Sequence, residues 1–219
     1  MADQARTYHH GDLRRALIDE GMRRARTGGP ASVTLREVTR AVGVSPNAAY
    51  RHFTDREDFV RAVAAQAQLE LARAIGDRVA ATPDDLPAAE AAVERLRRVG
   101  LAYIAFARAE PGWFEAAFFT QDTRASEGIV TLDDEIVAPF RALMDTLDAM
   151  VDAGALAPER RPLAEWACWS AVHGFADIAV HGPVRWQPDA VIDALAAAVV
   201  ESAITGVRGT TAPVAVPAG

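Results

Sequence analysis

Between Thr34 and Arg56 the chain starts a helix, stops it, and starts a second one after a two-residue gap. Thr34 stands three residues before Glu37, the spacing at which a hydroxyl and a carboxylate satisfy orphan N–H groups at a helix start. Leu35, Val38 and Val42 then share one face, and Gly43 stops the helix. Ser45 opens the next at once, with Pro46 at its first position, where the missing N–H costs nothing. This helix is expected to run from Ser45 to Phe53. Thr54 or Asp55 caps the one after it, with Glu57 and Asp58 in its first turn, and that helix runs on to about Val79. Ahead of the pair, Asp12 caps a helix from about Leu13 to Arg26, with Leu13, Leu17, Ile18 and Met22 at helical period and Gly28-Gly29-Pro30 as its stop.

The rest of the chain keeps to helix. Alanine dominates, and β-branched residues come as scattered singles rather than alternating runs. A loop at Thr82–Pro87 leads to a helix over about Ala88–Ala109, broken at Glu110-Pro111-Gly112. A short aromatic segment, Trp113–Phe119, follows. The next pattern spans Ile129–Val151, with Ile136, Phe140, Leu143, Leu147 and Met150 on one face, and Pro139 marking a kink or a restart. Two more helices are expected over Glu159–Val180 and from Pro188 to about Gly206. The expected fold is all-α with about nine helices. It divides into a head over 1–58, with a loose arm at 1–10, a body over 59–208, and a flexible tail over 209–219.

Half of the chain is apolar, enough for a sizeable core, and the net charge is −7. That total argues against a general nucleic-acid binder, but its distribution does not. Residues 1–60 carry ten arginines against eight acids, and the remainder thirteen against twenty-two. There is no lysine, so every cation is a planar guanidinium suited to phosphate and base edges. The single cysteine, Cys168, precludes an internal disulfide and fits a reducing, cytoplasmic setting. No stretch of about 20 apolar residues suited to a membrane span is expected.

Two capped helices on a tight turn are the geometry of a helix-turn-helix, whose second helix enters the major groove with its leading residues against base edges. Here those residues are short: Ser45, Pro46, Asn47, Ala48 and Ala49. Asn47 suits bidentate pairing with adenine, and Ala48 or Ala49 suits contact with a thymine methyl. Tyr50, Thr34, Ser45 and Arg56 suit phosphates, and Arg36, Arg51 and His52 complete the expected DNA face. The plainer alternative is a small helical hairpin in which Tyr50, His52 and Phe53 are ordinary packed aromatics.

The run Leu35-Arg36-Glu37-Val38, then Val42-Gly43-Val44-Ser45, then Tyr50-Arg51-His52-Phe53-Thr54-Asp55-Arg56-Glu57 resembles the signature of the TetR family of bacterial repressors, and Tyr8-His9-His10-Gly11-Asp12-Leu13-Arg14 is similar to the start of many members. The resemblance implies a three-helix DNA-binding head and a larger helical body that binds an effector. It also implies dimerisation through the last two helices and release from DNA when the effector binds. Position by position, it places Tyr50, Thr34 and Arg56 on phosphates and Asn47 and Ala48 on bases. Arg56 stands where Lys is common, Ala48 where Gly is frequent, and Gly21 inside the first helix where Ala is usual. Glycine there is expected to cost about 1 kcal/mol of helix propensity. Trp169, His173 and Gly174, with Arg108-Ala109-Glu110-Pro111, resemble one C-terminal subclass.

In the body, an aromatic-rich set suggests a cavity for a hydrophobic or aromatic effector, since such pockets are mostly apolar. Its expected lining is Trp113, Phe118, Phe140, Met144, Trp166 and Trp169, with His173 or Asp177 as a polar handle; a well-packed core is the alternative for each. Small residues along the last two helices, with Gly174, Ala176, Val191, Leu195 and Val199 as the expected contacts, suit a homodimer interface. The expected function is therefore a transcriptional regulator, a repressor released from a palindromic double-stranded operator by a small effector. The chain carries no nucleophile elbow, phosphate loop, dinucleotide fingerprint or metal-ligand spacing, so no cofactor, no metal and no enzymatic activity is expected. A helical enzyme and a partner-binding protein with a relic helix-turn-helix are the competing readings.

Overall fold

The structure, a computed structural model, describes residues 10–118 and 138–209. Residues 1–9 of the arm, the tail beyond Gly209, Phe119 and the stretch from Ile129 to Val137 in the sixth expected helix lie outside the described residues. Among those described there are nine α-helices and no strand: α1 (His10–Gly28), α2 (Leu35–Val42), α3 (Pro46–Ala49), α4 (Arg56–Ala80), α5 (Ala88–Ala109), α6 (Pro111–Phe118), α7 (Ala138–Asp152), α8 (Ala164–Val180) and α9 (Asp189–Arg208). They form two compact units, Met1–Leu69 with Glu110–Ile136, and Glu70–Ala109 with Val137–Gly219. A single boundary near residue 58 is thus too simple. The first unit takes in the first half of α4 and the whole of α6.

The first unit closes around Leu17, Met22, Val38, Phe53 and Phe59, all buried. Phe53 and Phe59 meet edge to face with centroids 5.1 Å apart. The expected helix starts are present. Thr34 Oγ1 accepts the Glu37 N–H at 3.4 Å, and Ser45 Oγ accepts the Ala48 N–H at 3.3 Å. Gly43, at φ 81°, closes α2 in the left-handed conformation. The start of α4 is capped reciprocally: Asp55 accepts the Asp58 N–H at 2.7 Å, and Asp58 accepts the Thr54 N–H at 2.8 Å. The glycine inside α1 has a packing reason. A Cβ on Gly21 would stand 2.6 Å from Val63 Cγ2 and 3.1 Å from a Phe59 ring carbon, so its absence lets α1 and α4 approach.

Helix α6 is seated on α1. Trp113 Nε1 donates to the Met22 carbonyl at 2.8 Å, and Arg26 pairs with both carboxylate oxygens of Glu110 at 2.6 and 2.5 Å while lying over the Trp113 ring. Buried Gln68 donates to the Ala117 carbonyl at 2.9 Å. A Cβ on Gly112 would stand 2.0 Å from the Ala25 carbonyl oxygen, so only glycine fits there.

In the second unit α5 packs against α7, α8 and α9. Arg108 joins α5 to Asp189 and Asp193 of α9 at 2.6 and 2.5 Å. Arg97 pairs with Glu201. Arg160 donates to the Val207 and Gly206 carbonyls, satisfying orphan acceptors at the end of α9. Pro139 sits in the first turn of the described α7, where proline is tolerated. The helix expected from Glu159 begins only at Ala164, because Pro158–Arg160 forms a 3-10 turn and Leu163 takes a left-handed φ of 65°. Helix α9 is long and apolar enough to cross a membrane by length and composition alone, at mean hydropathy 1.8, although Asp189, Asp193, Glu201 and Arg208 interrupt its apolar residues.

Candidate nucleic-acid interface and effector cavity

Short helices expose one face when the other is pinned to a core, and α2 and α3 do this in opposite registers. Leu35, Val38 and Thr39 of α2 are buried, which leaves Arg36 outward and Thr34 partly exposed. In α3 only Ala49 is buried, at 0 % exposure. Ser45, Pro46 and Asn47 are exposed and Ala48 partly so. The Ser45 cap and the proline at the first helical position fix this leading turn without any partner from elsewhere. Tyr50 is 51 % exposed, far more than a packed aromatic. Arg51 and Arg56 are exposed and His52 is partly buried. Of the residues expected on the DNA face, all but Ala49 thus keep some surface. The contact of Ala49 with a thymine methyl is withdrawn, since its methyl is part of the core.

Helix α3 is also shorter than expected, ending at Ala49 rather than Phe53. The chain turns through Tyr50–His52 so that Phe53 can enter the core, with Arg14 over its ring at 5.3 Å. Arginines in this region are not all committed to partners that neutralise them. Arg24 is held by Glu20 and Glu37, whereas Arg36, Arg51 and Arg56 pair with no carboxylate among the described residues. Exposed cations beside a helix start are the electrostatic arrangement that a phosphate backbone meets well.

The second unit holds an apolar cavity of about 30 Å³ between α5, α7, α8 and α9. Leu96, Val99, Gly100 and Tyr103 of α5 line it, with Pro139 and Leu143 of α7, Cys168, Trp169 and Val172 of α8, and Val200, Ala203 and Ile204 of α9. Of the residues expected to bind an effector, only Trp169 lines this space. Phe140 stacks its edge on Trp169 and also meets Trp166, both with centroids 5.3 Å apart. Trp166 is 43 % exposed, and Met144 is partly buried without reaching the cavity wall. His173 lies flat against Trp169, at an interplanar angle of 10°, and its Nδ1 is 2.7 Å from the Tyr103 hydroxyl. Burial lowers the His173 pKa, with nearby Asp177 opposing, and burial pushes the Cys168 thiol up to about 11. Asp177 turns away to pair with His181 at 2.7 Å.

Trp113 and Phe118 belong elsewhere. Both pack on the core of the first unit, so their assignment to the cavity is corrected. Aromatic composition located them in the right stretch but gave no sign of which core would claim them. Tyr103 and Gly100 were missed because α5 reads as an ordinary amphipathic helix. Among the expected dimer contacts, Val191 and Leu195 are 42 % and 40 % exposed, and Gly174 and Val199 partly so. Ala176 is at 0 % and faces the core, so it is removed from that set. A shallow apolar groove along α8 and α9, lined by Ala167, Ala171, Leu195, Ala198 and Val199 among others, shows where the exposed face runs.

Comparison with known proteins agrees with this division. Residues 17–63 match the family model described as bacterial regulatory proteins, tetR family, and residues 96–203 match the tetracyclin repressor-like C-terminal domain. No curated protein matches the sequence. Among solved structures, a Rhodococcus sp. RHA1 protein of unknown function is 24 % identical, with TM-score 0.68, over 93 % of this chain and all of that one. A TetR family transcription regulator from Marinobacter aquaeolei VT8 is 19 % identical, with TM-score 0.60, over 87 % and 94 % of the two chains. The regulator FadR from Bacillus subtilis, solved in complex with stearoyl-CoA, is 15 % identical, with TM-score 0.61, over 88 % and 98 %.

Proposed function

The chain belongs to the TetR family of bacterial regulatory proteins, and on that premise we propose that it is a cytoplasmic repressor that holds a palindromic operator as a homodimer and leaves it when a small apolar effector enters the body. The observation that carries the reading is the α2–α3 surface. Its leading residues are capped, short and exposed, and Tyr50, Arg36, Arg51 and Arg56 stand around them on the surface. Asn47 reads base edges. Thr34, Ser45, Tyr50 and Arg56 position the helix on phosphates, as do the N–H groups at the two helix starts. One short helix reads few base pairs, so a two-fold dimer with matched half-sites supplies the rest. The apolar face of α8 and α9 is where a second copy docks, through Val191, Leu195 and Val199.

Repression lifts when the effector favours a body conformation whose heads no longer match the operator spacing. The shift is limited by the effector's differential affinity for the two conformations. A mobility-shift titration against DNA upstream of the protein's own gene, with non-specific competitor at fixed salt, tests the reading. The double variant Tyr50→Ala, Arg56→Ala should weaken binding to all sequences by roughly 10–100-fold and flatten the salt dependence by about one phosphate's worth. An unchanged affinity and salt slope would remove the docking surface from consideration.

A further inference from the structure

Thr34 has one hydroxyl, and in the folded chain its proton is already given away. Its oxygen accepts the Glu37 N–H at 3.4 Å, and its O–H donates to Glu37 Oε2 at 3.3 Å. A hydroxyl has a single proton to donate, and a phosphate oxygen can only accept. A DNA phosphate therefore bonds this hydroxyl only by taking the proton that Glu37 holds. Both acceptors are anionic. A phosphate oxygen seated on Thr34 at an ordinary hydrogen-bond length would lie within roughly 6 Å of the Glu37 carboxylate, close enough for like charges to oppose each other strongly. The Glu37 side chain is 44 % exposed, so this charge stands at the surface of the proposed DNA face.

Glu37 is opposed from α1. Arg24 Nη1 donates to the same oxygen, Glu37 Oε2, at 2.8 Å. Arg24 Nε is taken by Glu20 Oε1 at 2.8 Å, and Arg23 grips Glu20 as well, at 2.7 and 2.6 Å. A row of alternating charge thus runs from Arg23 through Glu20 and Arg24 to Glu37, and its anionic end is the one beside Thr34. Because Arg24 is shared between two carboxylates, it offsets Glu37 only in part. We infer that Glu37 is a brake on DNA affinity, holding the Thr34 proton until a phosphate displaces it, and that Arg24 is the positioning residue that sets how strongly the brake acts. A phosphate carries no sequence information, so the brake lowers affinity for every sequence alike and leaves base readout to Asn47. The inference rests on the reading of α2 and α3 as the DNA face.

The test uses the full chain and two duplexes, one from upstream of the protein's own gene and one of scrambled sequence, titrated at the same low salt. Glu37→Gln removes the charge and keeps a side chain that can serve the same cap. It should tighten both duplexes by about three- to tenfold. Arg24→Gln should weaken both by a similar factor, and adding Glu37→Gln to it should restore wild-type affinity. In Thr34→Val there is no proton to contest, so Glu37→Gln should gain less than about twofold there, a coupling that a change of net charge alone would not produce. If Thr34→Val fails to fold, Arg23→Gln serves as the control. It makes the same change of charge as Arg24→Gln, at a residue that pairs with Glu20 rather than Glu37, and should weaken binding by less than about twofold. An unchanged affinity in Glu37→Gln overturns the inference and leaves the regulator reading standing. The same holds for an equal gain with and without the Thr34 hydroxyl, or equal losses in Arg23→Gln and Arg24→Gln. A wild type that binds neither duplex overturns both the inference and the reading on which it rests.

Discussion

In the first unit the residues proposed to meet DNA stand on the surface, with Asn47 exposed and Tyr50 half-exposed, whereas in the second the residues that line the cavity are turned inward, with Leu96, Tyr103, Val200 and Ile204 all almost wholly buried. The difference follows from the two ligands. DNA is a large polyanion that must be approached from outside, so the surface proposed for it is built from helix starts and exposed guanidinium groups. An apolar small molecule is bound by removing it from water, so its site is a gap in a core. The same contrast bears on what each unit should tolerate. Changes on the exposed face of α3 should leave the fold intact, whereas changes around the cavity should disturb the packing of four helices.

The strongest way to break the comparison is to unfold one side of it. Phe53 is 1 % exposed, sits edge to face on Phe59, and forces the turn that shortens α3. Phe53→Ala should destabilise the first unit by roughly 3–5 kcal/mol through lost burial and the cavity left behind. Hydrogen exchange should show α1–α3 opening while α8 and α9 keep their protection. Equal loss of protection in both units would show that they unfold as one.

A smaller perturbation targets the seat of α6. In Gly112→Ala the new methyl carbon would lie 2.0 Å from the Ala25 carbonyl oxygen, which is backbone and cannot swing aside. Helix α6 must shift, at a cost of about 1–3 kcal/mol, and Trp113 should lose its bond to the Met22 carbonyl. A red-shifted tryptophan emission spectrum with a lowered urea midpoint is expected. An unchanged spectrum and midpoint would mean that the α6 seat is loose enough to absorb the methyl.

The first unit was legible for a reason that bears on both variants. Its signals are local. A cap and its N–H partner lie three residues apart, a left-handed glycine ends the helix it follows, and Thr34, Gly43 and Ser45 could each be read in place. The cavity is not local. It joins Gly100, Leu143, Trp169 and Val200 from four helices, and no spacing in the sequence ties them together. Trp113 illustrates the limit. Its hydrophobicity says only that it will be buried, and whether α1 or α8 buries it depends on Gly112 allowing α6 close to Ala25. Gly21 makes the converse point. Read as a propensity cost in the sequence, it is an approach distance in the fold.

Base readout sharpens the comparison from the exposed side. Asn47→Ala removes one exposed carboxamide and no core contact, so the thermal midpoint should hold steady. Discrimination at one base pair of each half-site should fall by about 1–2 kcal/mol, with affinity for unrelated DNA unchanged. A selection from random sequences, comparing wild type with the variant, reads this directly. A uniform loss of affinity at every sequence would instead make Asn47 a backbone contact.

The smallest expected effect belongs to the buried side. His173 has a lowered pKa, chiefly because burial disfavours its charged form, while Asp177 pulls weakly the other way. The unfolded chain therefore takes up a proton near pH 6.5 that the folded chain refuses until lower pH. Below about pH 6.5 the unfolded state binds more protons, so stability falls as the pH falls, and it levels off once the folded-state pKa is passed. One group can contribute at most about 1.4 kcal/mol per pH unit over that window. The Tyr103 hydroxyl at 2.7 Å can still bond an amide oxygen, which makes His173→Gln a suitable partner for comparison. The difference in urea midpoint between wild type and variant should be flat above pH 6.5 and should turn against the wild type below it. Acid effects on Glu20 and Glu201, whose pKa values are lowered by Arg23 and Arg97, are common to both proteins and cancel. A difference that stays constant from pH 8 to pH 5 would mean that His173 is solvated in the folded body, against the burial that lowers its pKa.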